Sequence, residues 1–289
     1  MKINRSRIIL ILLSIFPLVI GSAIGISVLG SGLIGRIISE SYNYSVSDII
    51  IQAIVSTGLG ALVVLALFTV MKRGGRGTRK IVVAFVVSPI LYFVSLFVSQ
   101  VFLLILLKGS EDVWFGLLSL FSLAVAMVSL ALLVIDAIPP TVRNLFVIFY
   151  GSVFGVFMGL TLITSTMFVM ILTLIVEDYF LTRHSPAIDD IQMDDRLGSD
   201  PFDYTRIKTE SVSIGAGDYV TFSLISSHTV AFFPWYVWVM SMALASVGII
   251  INITILAKED DILPAIPLPA GLALLPWILH IASLFILGA

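Results

Sequence analysis

The sequence predicts an all-α polytopic membrane protein with nine transmembrane helices. Of its 289 residues, 59% are hydrophobic and only 12% are charged, whereas a typical soluble domain has about 45–50% apolar and about 25% charged residues. The mean hydropathy is +1.12. The apolar residues also fall into long runs, and a helix needs about 20 such residues to cross the hydrocarbon core of a bilayer. A single core could not shield this much apolar surface from water, so the predicted solvent is lipid.

The same composition excludes several classes of protein. Too few charged residues are present for a soluble or a disordered chain, and a net charge of −2 gives no basic field toward nucleic acid. The chain has no cysteine, which excludes disulfides, thiolate catalysis and cysteine-ligated metal. Three histidines disfavour a histidine-based metal site. We therefore predict no metal and no cofactor.

The nine predicted spans follow the apolar runs in chain order. The stretch Leu145–Leu181 has 37 residues, too many for one span and enough for two short ones, with a polar break at Thr161–Thr166. A turn is predicted at Phe233–Pro234 between two later spans. The spans are Ile8–Leu29, Ile49–Met71, Ile81–Leu107, Val113–Ile135, the two halves of Leu145–Leu181, Ile214–Phe233, Trp235–Leu256 and Pro269–Leu287.

The distribution of lysine and arginine sets the predicted orientation. With nine spans, 14 of the 16 Lys and Arg residues lie on the side of the N-terminus, and only Arg36 and Lys108 lie on the other side. Cytoplasmic loops carry the excess of basic residues, so the N-terminus is predicted to be cytoplasmic and the C-terminus extracytoplasmic. The chain then divides into a six-helix part over 1–181, a cytoplasmic loop over 182–213 and a three-helix part over 214–289, which form one membrane-embedded unit.

Two helix faces carry regularly spaced glycines. Gly151, Gly155 and Gly159 line one face of span five, and Gly21 and Gly25 do the same in span one. Small residues four apart let helix backbones approach closely in lipid. These faces therefore predict close helix packing.

Three carboxylates, those of Glu177, Asp178 and Asp218, stand inside predicted spans, where an ionised group costs about 2.5–3.5 kcal/mol on insertion scales. Asp178 lies near the cytoplasmic end of span six, and Asp218 lies near the cytoplasmic start of span seven. Consecutive spans run antiparallel, so both acids are predicted at similar depth. Glu177 neighbours Asp178 but points about 100° away around the helix.

Facing carboxylates in a site of low dielectric cannot both ionise, so they share a proton. The ionised member can take a proton from water while the neutral member protonates a carbonyl oxygen. Gly215 and Gly217 add no side chain beside Asp218 and leave room for a peptide backbone or water. The pair thus predicts hydrolytic chemistry that needs no metal. The alternative is that each acid is an isolated residue at a helix end near the headgroups.

The residues at this point resemble the presenilin and signal peptide peptidase family of GxGD intramembrane aspartyl proteases. Gly215-Ala216-Gly217-Asp218 is similar to the GxGD motif, and Asp178 takes the place of the other aspartate. Pro264-Ala265-Ile266-Pro267 is similar to the PALP motif before the last span. Ser226-Ser227-His228 resembles archaeal presenilin homologues in particular. The resemblance covers the C-terminal half well, and the first five spans only in their topology.

The resemblance implies an aspartic endopeptidase that cuts within or near transmembrane helices. Asp178 and Asp218 would be the catalytic pair, Gly215–Gly217 the active-site loop, and Pro264–Pro267 a rigid support beside it. One departure is that the family usually has tyrosine before the first aspartate, where this chain has Glu177; Tyr179 follows instead. The implied substrates are transmembrane proteins or peptides, and the implied location is an archaeal cell membrane.

In the segment Tyr204–Ile214, charged residues alternate with uncharged ones, since Arg206, Lys208 and Glu210 occupy every second position. Such period-two patterning with β-branched residues is typical of a strand. Unwound backbone in lipid needs replacement hydrogen-bond partners. We hypothesise that this segment, through residues such as Val212 and Ile214, pairs with an extended substrate by β-strand addition. The alternative is a plain loop.

Two other functions use the same acids. A prepilin or preflagellin peptidase shares the GxGD acids but usually has fewer spans and lacks the proline motif. An ion-coupled transporter could use both carboxylates as a cation site, although no internal repeat supports it. The lipid bilayer is the expected surrounding, no nucleic acid is expected, and monomer and homo-oligomer both remain open.

Overall fold

The structure is a computed structural model that describes residues 5–30, 76–107, 112–184, 201–208, 213–256 and 264–287, together with 47, 51, 54, 69, 70 and 73. It is mostly helical. The helices are α1 (Arg5–Gly30), α2 (Arg76–Leu107), α3 (Asp112–Ile135), α4 (Pro140–Thr161), α5 (Thr164–His184), α6 (Ala216–Phe232), α7 (Trp235–Ile251) and α8 (Pro267–Leu287). A 3-10 turn (Pro201–Tyr204) and two short strands, β1 (Arg206–Lys208) and β2 (Ser213–Gly215), stand between α5 and α6.

Within the described residues, six helices are long and apolar enough to cross a membrane, as expected for an all-α integral membrane protein. They match predicted spans one, three, four, five, eight and nine: Arg7–Gly30, Gly77–Leu103, Gly116–Ile135, Val142–Thr161, Trp235–Leu256 and Pro267–Ile286. Predicted spans six and seven are also helices, namely α5 and α6. Neither is among the six; α6 has 17 residues, fewer than the roughly 20 that cross the hydrocarbon core. Most of predicted span two, and most of the loop 182–213, lie outside the described residues.

Both predicted helix breaks occur close to where the sequence places them. The backbone is extended at Leu162, which separates α4 from α5 inside the predicted Thr161–Thr166 break. It is extended again at Phe233, and Pro234 then caps α7. Proline at a helix start lacks only an N–H that would be unpaired anyway, so Pro234 begins a new helix without losing a hydrogen bond.

Helix α6 packs at the centre of the described helices, between α1 and α4. Both glycine faces contact it: Gly21 and Gly25 of α1 on one side, and Gly151, Gly155 and Gly159 of α4 on the other. A β-carbon added at Gly155 would press on the backbone oxygen of Val220 and lie 3.0 Å from Cβ of Ser223. The glycines therefore permit backbone-to-backbone approach, as predicted.

The buried residues of α6 include many polar ones, and these form local hydrogen bonds. Ser223 and Thr229 donate their hydroxyls to carbonyls one turn earlier. His228 is fully buried; its Nδ1 lies 2.6 Å from the Gly159 carbonyl oxygen and its Nε2 lies 3.1 Å from Oγ1 of Thr164. Because the carbonyl only accepts, Nδ1–H donates and Nε2 accepts from the threonine. His228 thus ties the end of α4 and the start of α5 to α6.

Substituting Gly155 by Ala is expected to lower the free energy of unfolding by about 1–3 kcal/mol, because the new methyl group meets backbone that cannot move aside. Thermal or denaturant unfolding of the purified protein in detergent measures this. Gly116→Ala in α3 is the matched control, since a β-carbon there meets nothing within 4 Å. Alanine forms helix about 1 kcal/mol better than glycine, so this control should be neutral or stabilising. Equal effects at the two positions would contradict the packing argument.

Candidate active site

Asp218 is held in the first turn of α6 by the strands before it. β1 and β2 pair antiparallel, with Arg206 opposite Gly215 and Ile207 opposite Ile214. The backbone N–H of Ala216 donates to the Thr205 carbonyl oxygen at 2.8 Å, which continues the pairing into the helix start. Gly215 is the N-cap, and its backbone also hydrogen-bonds the Asp218 carboxylate. An acid three residues after the N-cap is favoured there by the free N–H groups and the helix dipole.

Asp178 lies near the end of α5, where it accepts hydrogen bonds from its own helix and from the segment before α8. Its Oδ2 accepts the backbone N–H of Ile266 at 2.9 Å, and its Oδ1 accepts the hydroxyl of Thr182 at 3.3 Å. Ala265 also contributes a backbone hydrogen bond. Pro264, Ala265 and Ile266 form the non-helical segment directly before α8. The structure therefore joins the first acid to the proline motif.

The two carboxylates are close enough for their charges to interact. Both are partly buried, with Asp178 near the C-terminal end of α5 and Asp218 at the N-terminal end of α6. The structure thus brings together Asp178, the loop Gly215–Asp218 and the segment Pro264–Pro267, which are separated by up to 89 residues in sequence. This arrangement places two acid groups within electrostatic range of each other, one of them bonded to a backbone N–H of the segment before α8.

Space is open beside Asp218. Gly215 and Gly217 are both exposed. A β-carbon built on Gly217 would meet no atom within 4 Å, and one built on Gly215 would meet only Oδ2 of Asp218 at 3.8 Å and the Gly217 nitrogen at 3.9 Å. Since substrate or water needs a path to the carboxylate, these glycines leave the site accessible.

The other predicted site residues lie in different surroundings. Ile214 is buried in β2 and packs in one cluster with Tyr204, Ile207 and Tyr219. Tyr179 is 39% exposed and packs edge-on against the ring of Phe180. Val212 lies outside the described residues. The sequence predicts one strand over Tyr204–Ile214, but the structure has two short strands, β1 and β2, which pair with each other. Pairing gives hydrogen-bond partners to backbone groups that a lone strand would leave without any.

No protein-family profile matches this chain, and no curated protein sequence matches it either. The geometry of the site therefore carries the functional argument. Among the described residues, no group of three or more His, Asp or Glu is arranged to hold a metal ion.

A group of charged residues that the sequence did not single out anchors the strands. We call it the charge cluster, and it comprises Lys80, Asp136, Arg143, Asp203 and Arg206. Arg143 bonds Asp203 at 3.1 Å and Asp136 at 3.4 Å, and its guanidinium lies 4.5 Å from the ring centre of Tyr204. Lys80 pairs with Asp136 at 3.1 Å, and Arg206 with Asp203 at 3.0 Å. All five side chains are at most 22% exposed.

Tyr204 connects the charge cluster to the helices. Its hydroxyl donates to Asp136 at 2.8 Å, and its carbonyl oxygen accepts the hydroxyl of Tyr150 at 2.8 Å. Burial, with the Asp136 hydrogen bond as a further cause, raises the pKa of Tyr204 to about 12, so the phenol stays protonated and keeps donating. The segment that supports Asp218 is therefore fixed to α2, α4 and the α3–α4 corner.

Asp136 itself has a backbone φ of 56° at that corner, a left-handed conformation that normally favours glycine. The sequence alone does not single out Asp136, because its left-handed backbone is recognised only when the end of α3 is known. Lys80 and Arg143 give no such signal, because basic residues near span ends are ordinary interfacial residues.

Proposed function

We propose that the chain is an intramembrane aspartic endopeptidase that hydrolyses peptide bonds within or near the transmembrane helices of membrane proteins. The observation that carries this proposal is that Asp178 and Asp218 lie within electrostatic range of each other at two helix ends, with the Ile266 N–H on Asp178. Proximity to a proline-rich, non-helical segment and the open space at Gly217 also support it.

The proposed reaction uses one carboxylate as base and the other as acid. The ionised group takes a proton from water, and the water oxygen bonds to the carbon of the scissile carbonyl. The protonated group gives its proton to the carbonyl oxygen. When the resulting diol collapses, the C–N bond breaks and a proton passes to the amine nitrogen. The products are a new carboxyl end and a new amine end, and no covalent enzyme intermediate is needed.

The proposal includes nine spans, with α5 and α6 as spans six and seven and the N-terminus in the cytoplasm. Both helices carry acids, and α6 buries several hydroxyls and a histidine among its neighbours. Ionisable residues within membrane-spanning segments usually face the bundle interior or a polar cavity and point to a functional site. Substrate would enter from the surrounding lipid beside these two helices.

The β1–β2 pair offers a way to hold an unwound substrate. Each strand has one edge that its partner in the pair does not occupy, and β2 ends three residues before Asp218. An extended substrate segment added to this sheet would have its backbone N–H and C=O groups paired. The scissile bond would then lie next to the acids, with Ile214 buried beneath the sheet as its support.

The test uses the purified chain in detergent and a single-span substrate with a tag at each end. Wild type is expected to release a soluble tagged fragment, and the double variant Asp178→Asn, Asp218→Asn is expected to release none. The same pair of proteins in sealed vesicles is then measured for ion flux. Flux that the double variant loses, with no cleavage of several substrates by well-folded wild type, would replace the protease with the transporter.

A further inference from the structure

The segment before α8 that contacts Asp178 has little helical hydrogen bonding of its own. Pro264 and Pro267 have no N–H, and the backbone becomes helical only from Pro267. Ile266 is nevertheless buried and donates its N–H to Oδ2 of Asp178 at 2.9 Å. Because a backbone donor holds its direction only if the surrounding chain is fixed, another part of the fold must hold Ala265 and Pro264.

Asn252 holds them. Its side-chain Nδ2 donates to the carbonyl oxygen of Pro264 at 3.0 Å and lies 3.4 Å from that of Ala265. The residue is 7% exposed and begins the π-helical turn Asn252–Leu256 that follows α7. An amide here interrupts an otherwise apolar run, and burying one without hydrogen-bond partners is unfavourable. Single π-turns inside helices occur frequently at functional sites.

Two further contacts fix the position from which Asn252 reaches across. Gly248, one turn earlier in α7, lies so close to α8 that a β-carbon there would be 2.6 Å from Cα of Pro269. Arg7 of α1 donates to the carbonyl oxygen of Thr254 in the π-turn at 3.3 Å. The close packing at Gly248 and the hydrogen bond from Arg7 thus fix the position of Asn252 relative to the segment before α8.

We propose that Asn252 is a positioning residue for Asp178. It fixes the carbonyls of Pro264 and Ala265, the fixed segment aims the Ile266 N–H, and that N–H sets the orientation of the Asp178 carboxylate toward Asp218. This inference rests on the proposed function for its catalytic consequence, whereas the chain of hydrogen bonds can be tested without any substrate.

The first arm of the test measures amide hydrogen exchange by mass spectrometry in detergent. A peptide covering residues 264–269 has backbone N–H groups only at Ala265, Ile266 and Leu268, because the other three residues are proline. Asn252→Leu, which is nearly isosteric and tolerated in lipid, is expected to raise exchange in this peptide. Thr254→Val is the matched control in the same π-turn, since the Thr254 hydroxyl donates only to Ile250 of its own helix in the described contacts.

The second arm measures cleavage of the single-span substrate. Asn252→Leu is expected to lower kcat by about 100-fold while KM changes little, because a displacement of about 1 Å at a reacting group has this effect. Asn252→Gln keeps the donor on a longer arm and should recover part of the rate, and Thr254→Val should match wild type. Wild-type exchange and wild-type kcat in Asn252→Leu would overturn the proposal.

The two arms separate the two proposals. If wild type cleaves no substrate, the proposed function fails, but raised exchange in Asn252→Leu still supports the hydrogen-bond chain. If Asn252→Leu does not fold, the exchange and kcat of Asn252→Gln decide instead, since values equal to those of Thr254→Val would overturn the positioning role. Loss of activity in the leucine variant without any change in exchange would likewise overturn it.

Discussion

Asp178→Asn and Asp218→Asn, each made alone, are expected to reduce substrate cleavage by at least about 100-fold and up to about 10⁴-fold, the range that general acid–base groups contribute. Asparagine keeps the shape of the side chain and can still accept the Ile266 N–H at position 178. It cannot carry or exchange the shared proton. The unfolding midpoint is therefore expected to stay at or above that of wild type, because each change also removes the repulsion between two neighbouring carboxylates.

Glu177→Gln is the matched control for these two variants. It removes the same charge from the adjacent residue of α5, which points about 100° away from Asp178 around the helix. Cleavage by this variant should stay within a few-fold of wild type. Loss in Asp218→Asn and Glu177→Gln, with activity retained in Asp178→Asn, would mean that the second acid is Glu177.

The helices follow from the sequence because lipid imposes one simple rule. Runs of about 20 apolar residues have to become helices with internally paired backbone, and the breaks at Leu162 and Phe233 fall where polar residues or proline interrupt the run. The meeting of Asp178 and Asp218 could be anticipated for a similar reason, since consecutive spans are antiparallel. Span length alone, however, did not show that α6 would have 17 residues.

The contacts that fix the site could not be predicted in the same way. Lys80 and Asp136 are 56 residues apart, and Asn252 and Pro264 meet only because α7 ends in a π-turn. Pairing of this kind depends on which helices are neighbours, and hydrophobic periodicity does not encode that in a chain whose helices are apolar on all sides. The alternation in Tyr204–Ile214 correctly indicated strand, yet it did not reveal that the segment would fold back on itself.

Arg143→Met is expected to lower the free energy of unfolding by about 3–5 kcal/mol, the usual effect of removing one partner from a buried ion pair. The Arg143 side chain is only 9% exposed and bonds Asp203, Asp136 and the Ile138 carbonyl oxygen. Without Arg143, the carboxylates of Asp203 and Asp136, which are 13% and 15% exposed, lose the cation that they share. Reversible unfolding of the purified variant in detergent measures the loss.

Lys80→Met is the control that distinguishes the loss of the Arg143 contacts from the loss of one positive charge. It deletes the same charge, but Lys80 is 22% exposed and, in the part of the chain that the structure describes, pairs only with Asp136. We therefore expect a loss of about 1 kcal/mol or less, as for a pair near the surface. Arg143→Met should also lower cleavage, because Asp203 and Tyr204 directly precede Thr205, whose carbonyl oxygen holds the start of α6.

Adding Asp203→Asn to Arg143→Met should lower the free energy of unfolding by less than Asp203→Asn does in wild type, since the effects of neighbours in one network are not additive. Equal losses in Lys80→Met and Arg143→Met would show that the charge cluster contributes only net charge and does not fix the segment before Asp218.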